Sequence, residues 1–231
     1  ETEKMKNEFI SSVSHELRTP LTSIRGWVET LRTLDDPTDE NYRKGLEIIN
    51  NETARLYNMV EELLEFSKMQ DGRFTLQVEE MDLQAELEDA IYTYRELFRQ
   101  DGIQLNYHSD QELYTEPISG DPQRLKQVFC NVLDNAAKHG GAGKRIDVDM
   151  TQEGDSYVVR IRDYGPGIPE EELPRVKLKF YKGSSKARGS GIGLAVCDEI
   201  MRLHNGTFDI ANAPGGGTVV TMTKVLRERE T

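Results

Sequence analysis

Two apolar seams separated by a single break constrain the first third of this chain more than any other feature. Tyr42, Leu46, Ile49, Thr53, Leu56, Val60 and Leu63 recur in alternating steps of four and three, the heptad spacing of a helix that lays one stripe against a partner. A looser version runs through Ile10, Val13, Leu17, Leu21, Ile24, Val28 and Leu31. Between them Asp35 to Glu40 (DDPTDE) supplies a proline break and capping side chains, so two long helices are expected to fold back as a hairpin. Two helices cannot enclose a bundle core alone. Such seams are hidden most simply against a second copy, and the expectation is a homodimer built on a four-helix bundle.

The texture changes at Gln70-Asp71-Gly72-Arg73, which reads as a linker between a helical domain over residues 1–70 and a second domain over 74–226. Beyond it, strands are expected near Leu76 to Val78, around Ile103 to Tyr107 and Tyr114, over Ile146 to Met150 and Tyr157 to Asp163, and on both sides of Ala213-Pro214-Gly215. Helices are expected from an Asp82 N-cap, from about Pro122 to Lys138, and from about Gly189 to His204. Strands adjoining in hairpins, with helices grouped apart, point to an α+β sandwich and not to a doubly wound parallel sheet.

Charge limits the partners. A formal net charge of −12 over 231 residues argues against nucleic acid or an anionic membrane as a partner held by bulk electrostatics. No apolar run is long enough to span a membrane, and the opening ETEKMKNEF is too charged for a signal peptide. The expectation is a cytoplasmic fragment, with no membrane contact of its own, cut from a longer chain that can carry a membrane anchor. Cys130 and Cys197 read as buried free thiols, and the four histidines show no metal-ligand spacing.

On the first helix His15 lies about 200° from both Val13 and Leu17 at 100° per residue, so it projects away from the apolar seam. Pro20 cannot donate to the carbonyl of Glu16, which predicts a bend beside His15. A neutral imidazole attacks phosphorus when one nitrogen is free and the other N–H is held, and Glu16 is the nearest carboxylate. Thr19, at i+4, shares the face of His15 and is placed to orient a water for the reverse, dephosphorylating step.

In the second domain Gln127, Asn131, Asn135 and Lys138 form one polar stripe on a helix otherwise apolar through Leu125, Val128, Phe129, Val132, Leu133 and Ala136. Stacked amide oxygens and an ammonium suit a Mg²⁺-bound triphosphate. Tyr157, Val159, Ile161 and Asp163 share one face of a strand, so the carboxylate ends an apolar row at a pocket mouth. The turn Asp163-Tyr-Gly165-Pro-Gly167 lets a flat ligand approach backbone, and such a carboxylate is suited to accept from an adenine amino group. A basic segment with Lys182 follows, and Gly189-Ser-Gly191-Ile-Gly193 opens a helix whose free N–H groups favour phosphate.

Phe9 to Leu21, containing Ser-His15-Glu-Leu-Arg-Thr-Pro20, closely resembles the H box of sensor histidine kinases, and the later segments resemble their N box, glycine boxes and terminal Gly215 to Thr218. The resemblance covers nearly the whole chain. It implies a Bergerat-type ATP-binding sandwich, autophosphorylation of His15 with help from Glu16, and a phosphatase role for Thr19. It also implies adenine recognition by Asp163 with Thr218 nearby, Mg²⁺ on Asn135, and phosphate contacts from Asn131, Lys138 and Gly189 to Gly193. The implied partner is the receiver domain of a response regulator. The chain departs from the family at His139, where Tyr or Phe is usual, at Gly140, where Ser or Thr is frequent, and at Lys177-Leu178. Two rival readings share the nucleotide site: a water-activating ATPase of the gyrase or chaperone type, for which Asp134 speaks, and a dimerising scaffold without catalysis. His108 and His204 fit no motif and read as structural or surface residues.

Overall fold

The computed structural model describes residues 2–34, 36–110, 116–176 and 192–226. It divides into two compact units, one built chiefly from the chain up to Phe74 and the other from Thr75 onward. The first unit is the expected hairpin of α1 (Thr2–Leu31) and α2 (Glu40–Gln70). Asp36 accepts hydrogen bonds from the N–H of Thr38 at 2.8 Å and from its hydroxyl at 2.7 Å. Asp39 then caps α2 by accepting from the N–H of Asn41 at 2.7 Å, satisfying a donor that the helix itself leaves open. α1 continues through Pro20 as one helix.

Trp27 and Leu31 lie against Gly45, where a Cβ would come within 2.8 Å of the indole and 2.9 Å of the leucine side chain. Other apolar positions stay uncovered: Ile10, Leu21 and Val28 on α1, and Leu46, Tyr57, Val60 and Leu64 on α2. At 100° per residue the three fall within about 20° of one another and the four within about 60°. Each helix therefore carries an exposed apolar stripe. Ile49, Leu56 and Leu63 of the expected seam are half-buried, while Tyr57 and Leu64 join the exposed stripe.

The second unit runs β1 (Glu79–Met81), α3 (Leu83–Gln100), β2 (Gln104–Ser109), β3 (Ile118–Gly120), α4 (Pro122–Gly140), β4 (Arg145–Glu153), β5 (Ser156–Asp163), α5 (Gly193–Leu203), β6 (Thr207–Asn212) and β7 (Thr218–Val225). The main sheet has the order β2-β4-β5-β7-β6, in which β2 and β4 are parallel and every other pair is antiparallel. Its strands alternate by face. Ile146, Val148, Met150, Val159, Ile161 and Met222 are buried, whereas Asp147, Asp149, Arg160 and Arg162 are only half-buried, the pattern of a sheet covered on one side. The three helices contribute Leu87 and Ile91, Leu125, Phe129 and Leu133, and Val196 and Ile200 to the core. This is the α+β architecture expected from the sequence.

The strand expected near Leu76 to Val78 forms instead at β1, because its partner is the three-residue β3, which the apolar pattern did not reveal. The N–H of Gln77 is taken by the Asp121 carboxylate at 2.8 Å and so does not join a ladder. The strand expected around Tyr114 lies outside the described residues.

Asp121 ties several elements together. Its Oδ1 caps α4 by accepting from the N–H of Arg124 at 3.2 Å, and its own N–H donates to Nε2 of the buried His204 at 2.9 Å. His204 Nδ1 lies 2.8 Å from the Ile200 carbonyl. These partners assign the proton to Nδ1 and leave Nε2 as acceptor, so His204 is a structural residue. Asp121→Ala, which removes a helix cap and a second hydrogen bond, is expected to cost about 2 kcal/mol in urea unfolding. Asp121→Ser retains the cap and should recover part of the loss, and an unchanged midpoint in the alanine variant would contradict this role.

Candidate functional site

The first candidate group stands on α1. His15 is exposed, as the helical phase predicts. Glu16 is turned away and buried to 9% exposure. Its Oε2 lies 3.5 Å from Arg55 Nη2 on α2, and Arg55 also reaches Glu52 at 3.6 Å. Sequence reasoning missed Arg55, which lies outside both apolar seams and is identified only by the way the two helices face each other. The Thr19 hydroxyl donates to the His15 carbonyl at 3.2 Å, the usual i−4 back-bond of a hydroxyl inside a helix. Thr19 therefore sits on the His15 turn with its hydroxyl turned to the backbone.

The second group is organised by Asp163 at the inner end of β5. Its carboxylate is buried, and Oδ1 accepts from the N–H of Gly165 at 2.9 Å and the N–H of Thr218 at 3.2 Å. Among the described residues Oδ2 has no protein partner. Burial pushes the Asp163 carboxyl above its usual range, and the two N–H groups, with the charges of His139 and Arg162, pull it back only in part.

This geometry needs close backbone approach. A Cβ on Gly140 would collide with the Asp163 side chain, and one on Gly217, at φ +85°, would collide with the Asp163 carbonyl. The glycine at 140, which departs from the family pattern, is thus what the position of Asp163 requires. Gly167 and Ile168 are held by Asn212, whose Oδ1 accepts from the N–H of Ile168 at 2.8 Å and whose Nδ2 donates to its carbonyl at 2.7 Å. His139, the other departure, is exposed at the end of α4. Desolvation and the adjacent Lys138 hold its imidazole below the ordinary value, with Asp163 opposing them.

The polar stripe of α4 forms as expected. The apolar residues of the helix are buried, while Gln127, Asn131 and Asn135 are half-buried and Lys138 is exposed. Burial pushes the thiol of Cys197 on α5 up to about 12, with the Asn131 amide opposing the shift. Asn135 has no hydrogen-bond partner among the described residues. Asp134 lies 3.9 Å from Lys138. Gly193 opens α5. Lys182, Gly189 and Gly191, together with Lys177 and Leu178, lie outside the described residues. Three requirements for a nucleotide thus come together: a half-satisfied buried carboxylate, two side-chain amides one helical turn apart, and glycine-lined backbone.

Comparison with known proteins agrees with this geometry. Residues 5–72 match the His Kinase A (phospho-acceptor) domain, and residues 120–228 match the histidine kinase-, DNA gyrase B- and HSP90-like ATPase domain. The chain is 32% identical to the signal transduction histidine-protein kinase AfsQ2 of Streptomyces coelicolor, over 95% of this chain and 42% of that protein. It is 31% identical to the sensor protein kinase WalK of Staphylococcus aureus, over 96% of this chain and 54% of that protein. The chain thus spans about half the length of these relatives. Among solved structures it resembles histidine kinase ThkA in complex with the response regulator protein TrrA, with a TM-score of 0.76 and 26% identity, covering all of this chain and 64% of that one. With both domains matched in order and the relatives aligned across nearly its full length, the chain belongs to the sensor histidine kinases.

Proposed function

We propose that the chain transfers the γ-phosphoryl group of ATP to His15 and passes it on to an aspartate in the receiver domain of a response regulator. Residues 1–70 serve as the dimerisation and phosphotransfer domain, and residues 74–226 bind the nucleotide. One observation carries the reading: the same chain presents an exposed His15 and, separately, a buried Asp163 with one oxygen fixed and the other without a partner among the described residues.

Asp163 Oδ2 accepts the adenine amino group in this reading, with Thr218, Gly165, Gly167 and His139 lining the base. Asn131, Lys138, Lys182 and the segment Gly189-Ser-Gly191-Ile-Gly193 hold phosphate oxygens. The donor set fits Mg²⁺ as well, since the Asn135 amide is half-buried without a hydrogen-bond partner among the described residues and supplies a neutral oxygen, as a cation shared with phosphates requires. When bound, Mg²⁺ neutralises charge on the β- and γ-phosphates.

The neutral His15 imidazole uses the lone pair of one ring nitrogen to form the N–P bond while the bond from the γ-phosphorus to the bridging oxygen breaks and ADP leaves. Glu16 holds the other N–H of the ring, for which its carboxylate must turn from Arg55. Thr19 orients a water in the phosphatase direction once its hydroxyl rotates off the His15 carbonyl. Asp134, on which a water-activating ATPase would rely, is instead paired with Lys138 at 3.9 Å. That pairing favours a protein acceptor over hydrolysis.

The exposed stripes of α1 and α2 are the surface on which two hairpins pair. Light scattering at micromolar concentration is expected to return twice the 26.3 kDa chain mass; a monomer mass would remove the bundle from the proposal. The transfer itself is tested with γ-labelled Mg·ATP. Wild-type protein should take up acid-labile, base-stable label, and His15→Gln should take up none while still binding nucleotide. Label that persists in the variant, or its absence from nucleotide-bound wild type, would refute His15 as acceptor.

A further inference from the structure

β5 sends consecutive residues to opposite faces of the sheet. Asp163 enters the buried side, while Tyr164 turns to the outer face, where two guanidinium groups lie over its ring. Arg145 Cζ is 4.7 Å from the ring centroid and Arg162 Cζ is 4.4 Å from it. The phenol donates to Asp147 Oδ2 at 2.5 Å. Asp147 also accepts from Arg145 Nε and Nη2 at 2.9 and 2.7 Å and from Asn106 Nδ2 at 2.8 Å. Arg162 in turn donates to the Pro214 carbonyl at 2.8 Å. One ring thus links β2, β4 and β5 to the turn between β6 and β7.

The linkage touches everything that fixes the Asp163 carboxylate. Tyr164 lies between Asp163 and Gly165, the residue whose N–H holds Oδ1. The turn gripped by Arg162 leads to Thr218, which supplies the second N–H. Burial raises the proton affinity of Asp147, but the hydrogen bonds from Arg145, Tyr164 and Asn106 outweigh it and keep the carboxyl below its ordinary range, so the tyrosine meets an anion near neutrality. Exposed ion pairs and stacked rings contribute little to global stability. The same contacts restrain two backbone dihedrals beside a ligand-binding carboxylate, where small rotations matter more.

We propose that Tyr164 is a positioning residue for Asp163, setting the carboxylate from the opposite face of the sheet through Asp147 and the Arg145–Arg162 stack. The proposal rests on the reading of Asp163 as the adenine acceptor. Titration calorimetry of the whole 231-residue protein with ADP tests it. Tyr164→Phe, which loses only the bond to Asp147, should weaken ADP about fivefold, and Tyr164→Ala about 20-fold. Urea midpoints should stay near that of wild type, and in γ-labelled ATP the loss should appear in KM and not in the rate at saturation.

A purely structural residue would lower the midpoint in proportion and leave the KM of the folded fraction alone. Tyr164→Phe combined with Asp147→Asn should bind ADP no worse than Asp147→Asn alone; independent, multiplicative losses would overturn the coupling. If the alanine variant fails to fold, the phenylalanine variant and the double variant decide the matter. Unchanged ADP affinity in a folded Tyr164→Phe, with wild type binding normally, would overturn the positioning role alone. A wild type that does not bind ADP would overturn the adenine reading and this proposal with it.

Discussion

The buried carboxylate of Asp163 is the constraint around which the second unit is arranged. A carboxylate removed from water loses far more than one hydrogen bond returns, so it persists there only when backbone donors are aimed at it. Gly165 and Thr218 supply those donors from two separate segments, one continuing β5 and the other opening β7. Both segments must come within van der Waals distance of Asp163, which is why Gly140 and Gly217 stand where any side chain would collide with it. The order β2-β4-β5-β7-β6 places β7 beside β5 and so makes the second donor available. Sheet order, glycine placement and the half-satisfied carboxylate are therefore one arrangement, and the oxygen left over is the one the proposed function gives to adenine.

The first unit answers a different requirement. An acceptor for phosphoryl transfer has to be reachable, and His15 is exposed on α1 while its neighbour Glu16 is drawn inward by Arg55. A helix separates these adjacent residues by about 100°. His15 and Glu16 thus occupy different environments without any change in the backbone, and in the proposed reaction the Arg55 contact holds Glu16 back from the imidazole. Positioning and charge neutralisation supply most of the catalysis in phosphoryl transfer.

Much of this was legible in the sequence because periodicity reports what a residue faces. The heptad steps placed the hairpin, the Asp35 to Glu40 break and the Asp82 cap marked the starts of α2 and α3, and the alternation from Tyr157 put Asp163 on the buried face. What stayed hidden depends on pairing between distant segments. β3 is three residues long and makes sense only opposite β1. Arg55 belongs to neither seam, and its partner is 39 positions away by number and across the hairpin in space. Tyr164 and Asp147 become neighbours through the register that sets Asp147 opposite Arg162. Gly140 read as a departure from a family pattern, and only the packing of α4 on β5 shows it to be a requirement.

Titration calorimetry comparing ADP with inosine diphosphate tests the role of Asp163 most directly. The two ligands differ where adenine carries an amino donor and hypoxanthine a carbonyl acceptor, which would confront Oδ2 with like charge. ADP should bind at least about 50-fold more tightly, the discrimination expected of a site built to receive a hydrogen-bond donor. Equal affinity for the two would contradict an adenine site organised by Asp163.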